Sequence, residues 1–447
     1  MALDLLSTVE MMQRSVQRHL LQRMSGALTS VLANRLLTNV PNLVIGDICS
    51  LENGTDAEPM RAQVIGVDAN GATLAPLGVT DGLSTLTRVV PHWRPLEVAC
   101  GDGMLGGVFD GLGRPIDGRD VAVSCHRSIT AQEVNPLERP LVKRANPTGI
   151  KAIDGLLTVG MGQRIGIFGG SGSGKTSLIG ALARNFSCDV VVLGLIGERG
   201  REIREFLDRQ LPPETRARCV IVTSTSDRPA MERVTGAHVA STIAEYFRDQ
   251  GKHVLLILDS VTRFARALRE VGLAAGEGAV RRGFTPSVYA ELPRLVERSG
   301  MSATGAITAI YTVLAEDEQG DDPIVEEIQS LTDGHIHLSS RLGQSGHYPA
   351  IDILRSNSRL MNEIVSPDHA SSAQRLRELM AKYTEVEMLL QVGEYRRGSD
   401  TLADEAIDKH PAIIQFLKQQ LREASPPGQT LQALAQLAIA PRVNEAA

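Results

Sequence analysis

The sequence predicts an α/β protein: a largely parallel sheet covered on both faces by helices, preceded by a small antiparallel β-barrel and followed by a helical domain. Three observations carry this. Residues 151–360 alternate apolar runs of strand length with helical segments, as a parallel sheet with helical crossovers requires. Residues 25–95 show short alternating stretches punctuated by the turn pairs Asn53-Gly54 and Asn70-Gly71. From about residue 366 apolar side chains recur at helical spacing.

Composition sets the frame. The 447 residues suffice for two or three domains, and 43% hydrophobic with 22% charged residues is the balance of a globular chain. No apolar run reaches membrane-spanning length and no secretory signal opens the chain. With 46 basic against 52 acidic residues the net charge is −6, which argues against a broad basic face for nucleic acid. The five cysteines (Cys49, Cys100, Cys125, Cys188, Cys219) show no C-x-x-C spacing and read as free thiols of a reducing cytoplasm, without a zinc site.

Residues 1–24 read as an amphipathic helix, with Leu5, Val9, Met12, Val16, Leu20 and Met24 on one stripe. The stripe suits a partner, a membrane surface or the chain's own first domain. Residues 25–95 form the expected barrel, from the stretches Leu43-Val44-Ile45, Ala62–Val67 and Ala72-Thr73-Leu74. The first hundred residues hold one aromatic, Trp93, and no lysine, so this barrel lacks the stacking rings and basic groove of a single-strand binder and reads as structural. Residues 96–365 form the nucleotide domain, led by a connector over 96–150 whose Leu105–Gly118 stretch reads as two short strands with glycine turns. Residues 366–447 are helical. Ser366-Pro367-Asp368 starts one helix, a second runs from Leu402 past Leu417 and Leu421, and Ser425-Pro426-Pro427-Gly428 ends it before a last apolar helix. Arg396-Arg397 and Asp404-Glu405 read as solvated faces.

The chemistry centres on Gly169-Gly170-Ser171-Gly172-Ser173-Gly174-Lys175-Thr176, a full G-x-x-x-x-G-K-[ST] pattern. It follows the apolar run Ile165–Phe168 and precedes a helix beginning Ser177-Leu178, of which Ser177 is grouped with the loop as nucleotide-binding. The glycines let successive N–H groups face one concavity, and the helix N-terminus adds partial positive charge. Lys175 is placed to reach the outer phosphates and the Thr176 hydroxyl to bind Mg²⁺.

Two acidic residues stand at the ends of other strands. Val190–Ile196 finishes at Gly197-Glu198, and Val254–Leu258 finishes at Asp259. Both then fall on the same sheet edge as the loop. Asp259 is the candidate to hold Mg²⁺, against the alternative of a helix N-cap. Glu198 is the candidate to orient and deprotonate the attacking water, against a surface ion pair with Arg199 or Arg201.

Assembled, the chain resembles the ATPases of type III secretion systems, injectisome and flagellar, and more broadly the catalytic subunits of rotary ATP synthases. The resemblance runs from about residue 25 to 425 through Gly106-Gly107-Val108, Asp110–Pro115, Gly197-Glu198-Arg199, Asp259–Arg263, Pro286–Arg294, Asp333–Ile336 and His347–Asp352. It implies a RecA-like P-loop nucleotidase core that hydrolyses ATP with Mg²⁺. It implies that Glu198 is the catalytic glutamate and that Arg199 and Arg263 line the phosphate site. Glu202 becomes a carboxylate outside the metal, Tyr348 the aromatic that stacks on adenine, and Arg359 the finger that completes a neighbouring subunit's site. Gly170 and Thr285 stand where alanine and a second proline are common in the family, and neither change removes a functional group.

The same resemblance implies a homohexamer with a central coiled-coil stalk protein, a stator protein on the amino-terminal helices, chaperone–substrate complexes as cargo and an export gate at the inner membrane, with the enzyme cytoplasmic and peripheral to that membrane. No nucleic-acid partner is expected. Gly346–Pro349 and Leu354-Arg355-Ser356 favour a virulence injectisome over a flagellum. The rivals are a flagellar export ATPase, a rotary ATP synthase subunit, an RNA translocase on the same core and a non-catalytic scaffold. Glu198 and the aromatic-poor barrel weigh against the last two.

Overall fold

The computed structural model describes residues 25–53, 59–130, 135–170, 172–315 and 322–439; the amphipathic stretch 1–24 and Ser171 lie outside them. Six antiparallel strands close the barrel: β1 (Gly26–Leu32), β2 (Arg35–Thr38), β3 (Ile48–Glu52), β4 (Met60–Asp68), β5 (Gly71–Pro76) and β6 (Arg88–Pro91), in the order β1-β2-β5-β4-β3-β6. Alternation drives it: Leu36, Val64, Leu74 and Val89 point inward and are buried, while their neighbours are at least partly exposed or face the adjoining domain. The β4–β5 hairpin closes at Gly71, whose φ is 135° and where a Cβ would lie 2.2 Å from the Thr38 carbonyl oxygen. Leu43-Val44-Ile45 is not a strand. Val44 N–H donates to the Asp47 carboxylate at 3.1 Å, turning the chain, and Val44 and Ile45 are exposed.

A two-stranded ladder of β7 (Glu97–Cys100) and β9 (Cys125–Ser128) links the barrel to the larger unit. Between them β8 (Val108–Phe109) joins the edge of the main sheet, and Pro115 bridges back to Phe109. The sheet continues with β10 (Arg164–Gly169), β11 (Val190–Ile196), β12 (Cys219–Ser224), β13 (His253–Asp259), β14 (Gly300–Met301), β15 (Ala306–Leu314), β16 (Gly334–Leu338) and β17 (Ile351–Ser358). Its order is β17-β16-β10-β15-β13-β11-β12-β8, parallel except where β17 returns against β16, with β14 set antiparallel beside β15.

Strands buried on both faces need no alternation, and β11 (Val-Val-Val-Leu-Gly-Leu-Ile) is buried throughout. One core forms with helices Ala230–Asp249, Val261–Ala275, Pro286–Glu297 and Pro323–Leu331; the other forms with helices Lys151–Leu156, Lys175–Asn185 and Gly200–Gln210. Gly194 is required where the helix Ala230–Asp249 crosses, since a Cβ there would meet Leu258 at 2.4 Å and Ala240 at 3.1 Å.

The C-terminal helices Pro367–Gln391, Thr401–Leu417 and Pro427–Ala438 add Leu376, Leu379, Ile413, Phe416 and Leu434 to the second core. Ser366 caps the first by accepting from His369 N–H, and Asp400 caps the second by accepting from Leu402 and Ala403. The second helix stops at Leu417, short of Leu421, because residues 418–425 are bonded to the nucleotide domain instead. Glu405 is not a solvated residue: it is buried between Arg375 at 2.6 Å and Lys409 at 2.8 Å.

Candidate functional site

The loop after β10 turns into the helix Lys175–Asn185 through Gly172 (φ 77°) and Gly174 (φ 89°), conformations that favour glycine. At Gly170 an added Cβ would meet nothing closer than 3.7 Å, so the alanine expected there would fit. Lys175 is buried, and its Nζ donates to the carbonyl oxygens of Gly169 (2.6 Å) and Gly170 (2.8 Å). Burial lowers its pKa, opposed by the carboxylates of Asp259 and Glu198. The ammonium therefore lies inside the loop, within the field of both acidic residues.

Asp259 ends β13 and is buried, so its carboxyl is pushed above the ordinary range; the Thr312 hydroxyl, Lys175 and Arg263 oppose the shift. Thr312 on β15 donates to Asp259 Oδ1 at 2.6 Å, a contact between strands that are neighbours in space but 53 residues apart. The N-cap function belongs to the next residue, since Ser260 Oγ accepts from Arg263 N–H at the start of the helix Val261–Ala275.

Glu198 follows β11 through Gly197 (φ 71°). A Cβ on Gly197 would lie 2.8 Å from Arg263 Cδ, so glycine there admits the arginine stem. Arg263 Nη2 donates to Glu198 Oε2 at 3.2 Å, and its Nε lies at ion-pair distance from Oε1 (2.9 Å) without a hydrogen bond, so the guanidinium sits against the carboxylate. Burial and the Asp259 charge nevertheless raise the Glu198 pKa to about 7, with Glu202 adding to the rise. Glu198, Glu202, Asp259 and Thr176 line one cavity of about 260 Å³. Arg199 is not drawn in: its side chain is exposed and pairs with Glu202 at 3.5 Å.

A second cavity of about 780 Å³ opens beside the loop, lined by Gly174, Ser177, Leu178, Tyr348, Pro349 and residues of the 415–423 segment. Tyr348 is half exposed and faces Gly174, where an added Cβ would lie 3.8 Å from its ring. The far wall was missed in the sequence, where Gln415–Glu423 reads as the end of a helix. Gln419 holds that wall. Its N–H donates to the Tyr348 carbonyl oxygen (2.9 Å), its Nε2 to Gly149 O (2.8 Å), and its Oε1 accepts from Lys151 N–H (2.9 Å).

Arg359 lies elsewhere. Ser358 pairs with Gly334, which pairs with Ile165 at the start of β10, while the phosphate loop begins after Gly169. Four residues of strand, about 13 Å, separate these levels. Arg359 thus stands at the opposite sheet edge from the chain's own phosphate loop.

Known proteins share this chain's sequence and fold. Residues 149–358 match the nucleotide-binding domain of the ATP synthase alpha/beta family, and residues 365–436 match the T3SS EscN ATPase C-terminal domain. The type 3 secretion system ATPase of Xanthomonas euvesicatoria is 49% identical over 436 residues, covering 96% of this chain and 98% of that protein. The flagellum-specific ATP synthase of Bacillus subtilis is 41% identical, covering 92% and 94%. The assembled ATPase EscN of the enteropathogenic E. coli type III secretion system superimposes with TM-score 0.88 at 43% identity, over 93% of this chain and 100% of that one. EscN in complex with its central stalk EscO gives TM-score 0.86 at the same identity and coverage. The chain therefore belongs to the type 3 secretion system ATPases, and it is an ATPase that energises type III secretion.

Proposed function

We propose that the chain works as a homohexamer hydrolysing Mg-ATP at sites shared between neighbours, with Glu198 supplied by one subunit and Arg359 by the next. The carrying observation is the separation of these residues to opposite sheet edges within one chain.

In each site the loop from Gly169 to Thr176 with Ser177 cradles the phosphates, and Tyr348 stacks on the base. Thr176 and Asp259, with Glu202 outside them, are oxygen donors suited to Mg²⁺, which when bound offsets phosphate charge. Among the described residues no three His, Cys, Asp or Glu side chains form a ready metal cluster.

Glu198, fixed by Arg263, takes a proton from the water that attacks the γ-phosphorus. The phosphorus–oxygen bond to ADP breaks, and ADP and phosphate leave. The raised Glu198 pKa makes it a competent acceptor near neutral pH. Lys175 and Arg263 on one side and the neighbour's Arg359 on the other stabilise the transferring group; Arg199 can join only by leaving Glu202.

The use of this turnover is the release and unfolding of chaperone–substrate complexes at an injectisome export gate. The higher identity to the secretion ATPase than to the flagellar one supports the injectisome. A coiled-coil stalk suits the exposed Met388, Leu389 and Val392 at the end of the long C-terminal helix, and EscN is known in complex with its central stalk EscO. Among the described residues no helix is long and apolar enough to cross a membrane. The proposed place of work is the cytoplasm beside the inner membrane, where a stator would hold residues 1–24.

Phosphate release per subunit, measured against protein concentration in excess Mg-ATP beside a sizing run, tests the shared site. Specific activity should climb with association. Full activity of a monomer would remove the proposal.

A further inference from the structure

We infer that Gln163 is a positioning residue for Arg359, setting where the finger stands for the neighbouring subunit's site; the inference rests on the shared-site reading above. Gln163 is 0% exposed, immediately before β10. Its Oε1 accepts from Gly160 N–H at 2.7 Å, and its Nε2 donates to the Asp333 carbonyl oxygen at 3.2 Å and to Ser358 Oγ at 3.1 Å. The Ser358 hydroxyl donates onward to Thr158 O at 2.8 Å. The Arg359 N–H donates to the same Asp333 carbonyl at 3.0 Å, so one buried amide holds both residues at the finger's base.

Further contacts brace the base from its more exposed side. The Asp333 carboxylate accepts from Arg164 N–H (3.0 Å) and Nε (3.3 Å), and the Arg359 guanidinium donates to Gln329 O at 3.2 Å. The buried part of this network, Gln163, Ser358 and the Thr158 carbonyl, has its polar groups partnered and so specifies one arrangement at the base. A guanidinium serving a distant phosphate tolerates little displacement, since an error of about 1 Å at a catalytic group costs up to about 100-fold in rate.

Gln163 also borders the chain's own phosphate-loop strand, so the test must separate effects in cis from effects in trans. Rings of Gln163→Met should bind Mg-ATP normally and form phosphate up to about 100-fold more slowly in a single turnover. Mixed into rings with excess Glu198→Gln subunits, whose own sites are silent but whose fingers are intact, each Gln163→Met subunit should regain nearly the wild-type rate. Arg359→Ala runs beside it as the control for the shared site.

Rescue of Arg359→Ala without rescue of Gln163→Met would place Gln163 on its own site and overturn the inference. Failure to rescue Arg359→Ala would remove the shared site itself. A wild-type rate for Gln163→Met also overturns it. Ser358→Ala removes the same contact from its other end, must give the same trans-rescued defect, and replaces Gln163→Met should those rings not assemble.

Discussion

Thr312→Val removes the one hydroxyl that donates to Asp259 Oδ1, at 2.6 Å, while nearly preserving volume in the buried β15 strand. A hydrogen bond to a charged acceptor contributes about 1.5–3 kcal/mol, so without it the Asp259 carboxyl, already raised by burial, should be pushed further up. A carboxylate needed to hold Mg²⁺ then competes with a proton at higher pH, and loses its fixed rotamer. Loss of such outer partners typically costs about 10–100-fold in metal affinity or activity. The assay is phosphate release against Mg²⁺ at fixed ATP, repeated from acid to alkaline pH. Half-saturating Mg²⁺ should rise about 10-fold at neutral pH, with the defect shrinking as pH increases. An unchanged Mg²⁺ dependence at every pH would refute the assignment of Asp259 as a metal ligand oriented by Thr312.

Two further outcomes follow from the same geometry. Glu232 is buried with the Arg228 guanidinium 3.9 Å away, and burial raises its pKa from 4.5 to about 7, Arg228 and Arg114 opposing the rise and Asp110 and Asp227 adding to it. The folded chain thus holds this proton more tightly than the unfolded one, so its effect on stability is least unfavourable below pH 4.5 and worsens as pH rises to 7. Glu232→Gln should therefore stabilise the protein by about 3 kcal/mol at pH 8 and by little at pH 4.5, read as the difference in denaturant midpoints. Tyr348→Ala should raise KM for ATP by about 10–100-fold with a smaller change in kcat, since base stacking contributes about 1–3 kcal/mol to binding in ground and transition states alike.

What the sequence made legible follows from local chemistry. The phosphate loop and the strand-end positions of Glu198 and Asp259 could be read because apolar runs, glycines and sheet-edge logic are encoded within a few residues of each site. Glu198 proved to pair with Arg263 rather than Arg199 or Arg201, because Gly197 lets the Arg263 stem cross beneath it. Tyr348 and Arg359 were reachable only through family resemblance. Thr312, Gln163 and Gln419 were not reachable, since each acts on a partner 53, 195 or 268–270 residues away and no spacing announces it. Apolar character misled at Leu43–Ile45, where the Asp47 carboxylate ends strand geometry, and charge misled at Glu405, whose partners come partly from another helix.

The most direct test is Glu198→Gln, assayed for nucleotide binding and single-turnover phosphate formation on the same preparation. Glutamine keeps the shape but cannot accept the water's proton, so ATP should bind with near-normal affinity and phosphate formation should fall by about 10²–10⁴-fold. The wild-type rate should decline as pH drops through about 7, the value to which burial and Asp259 raise this carboxyl. A Glu198→Gln enzyme that forms phosphate at the wild-type rate would contradict the account.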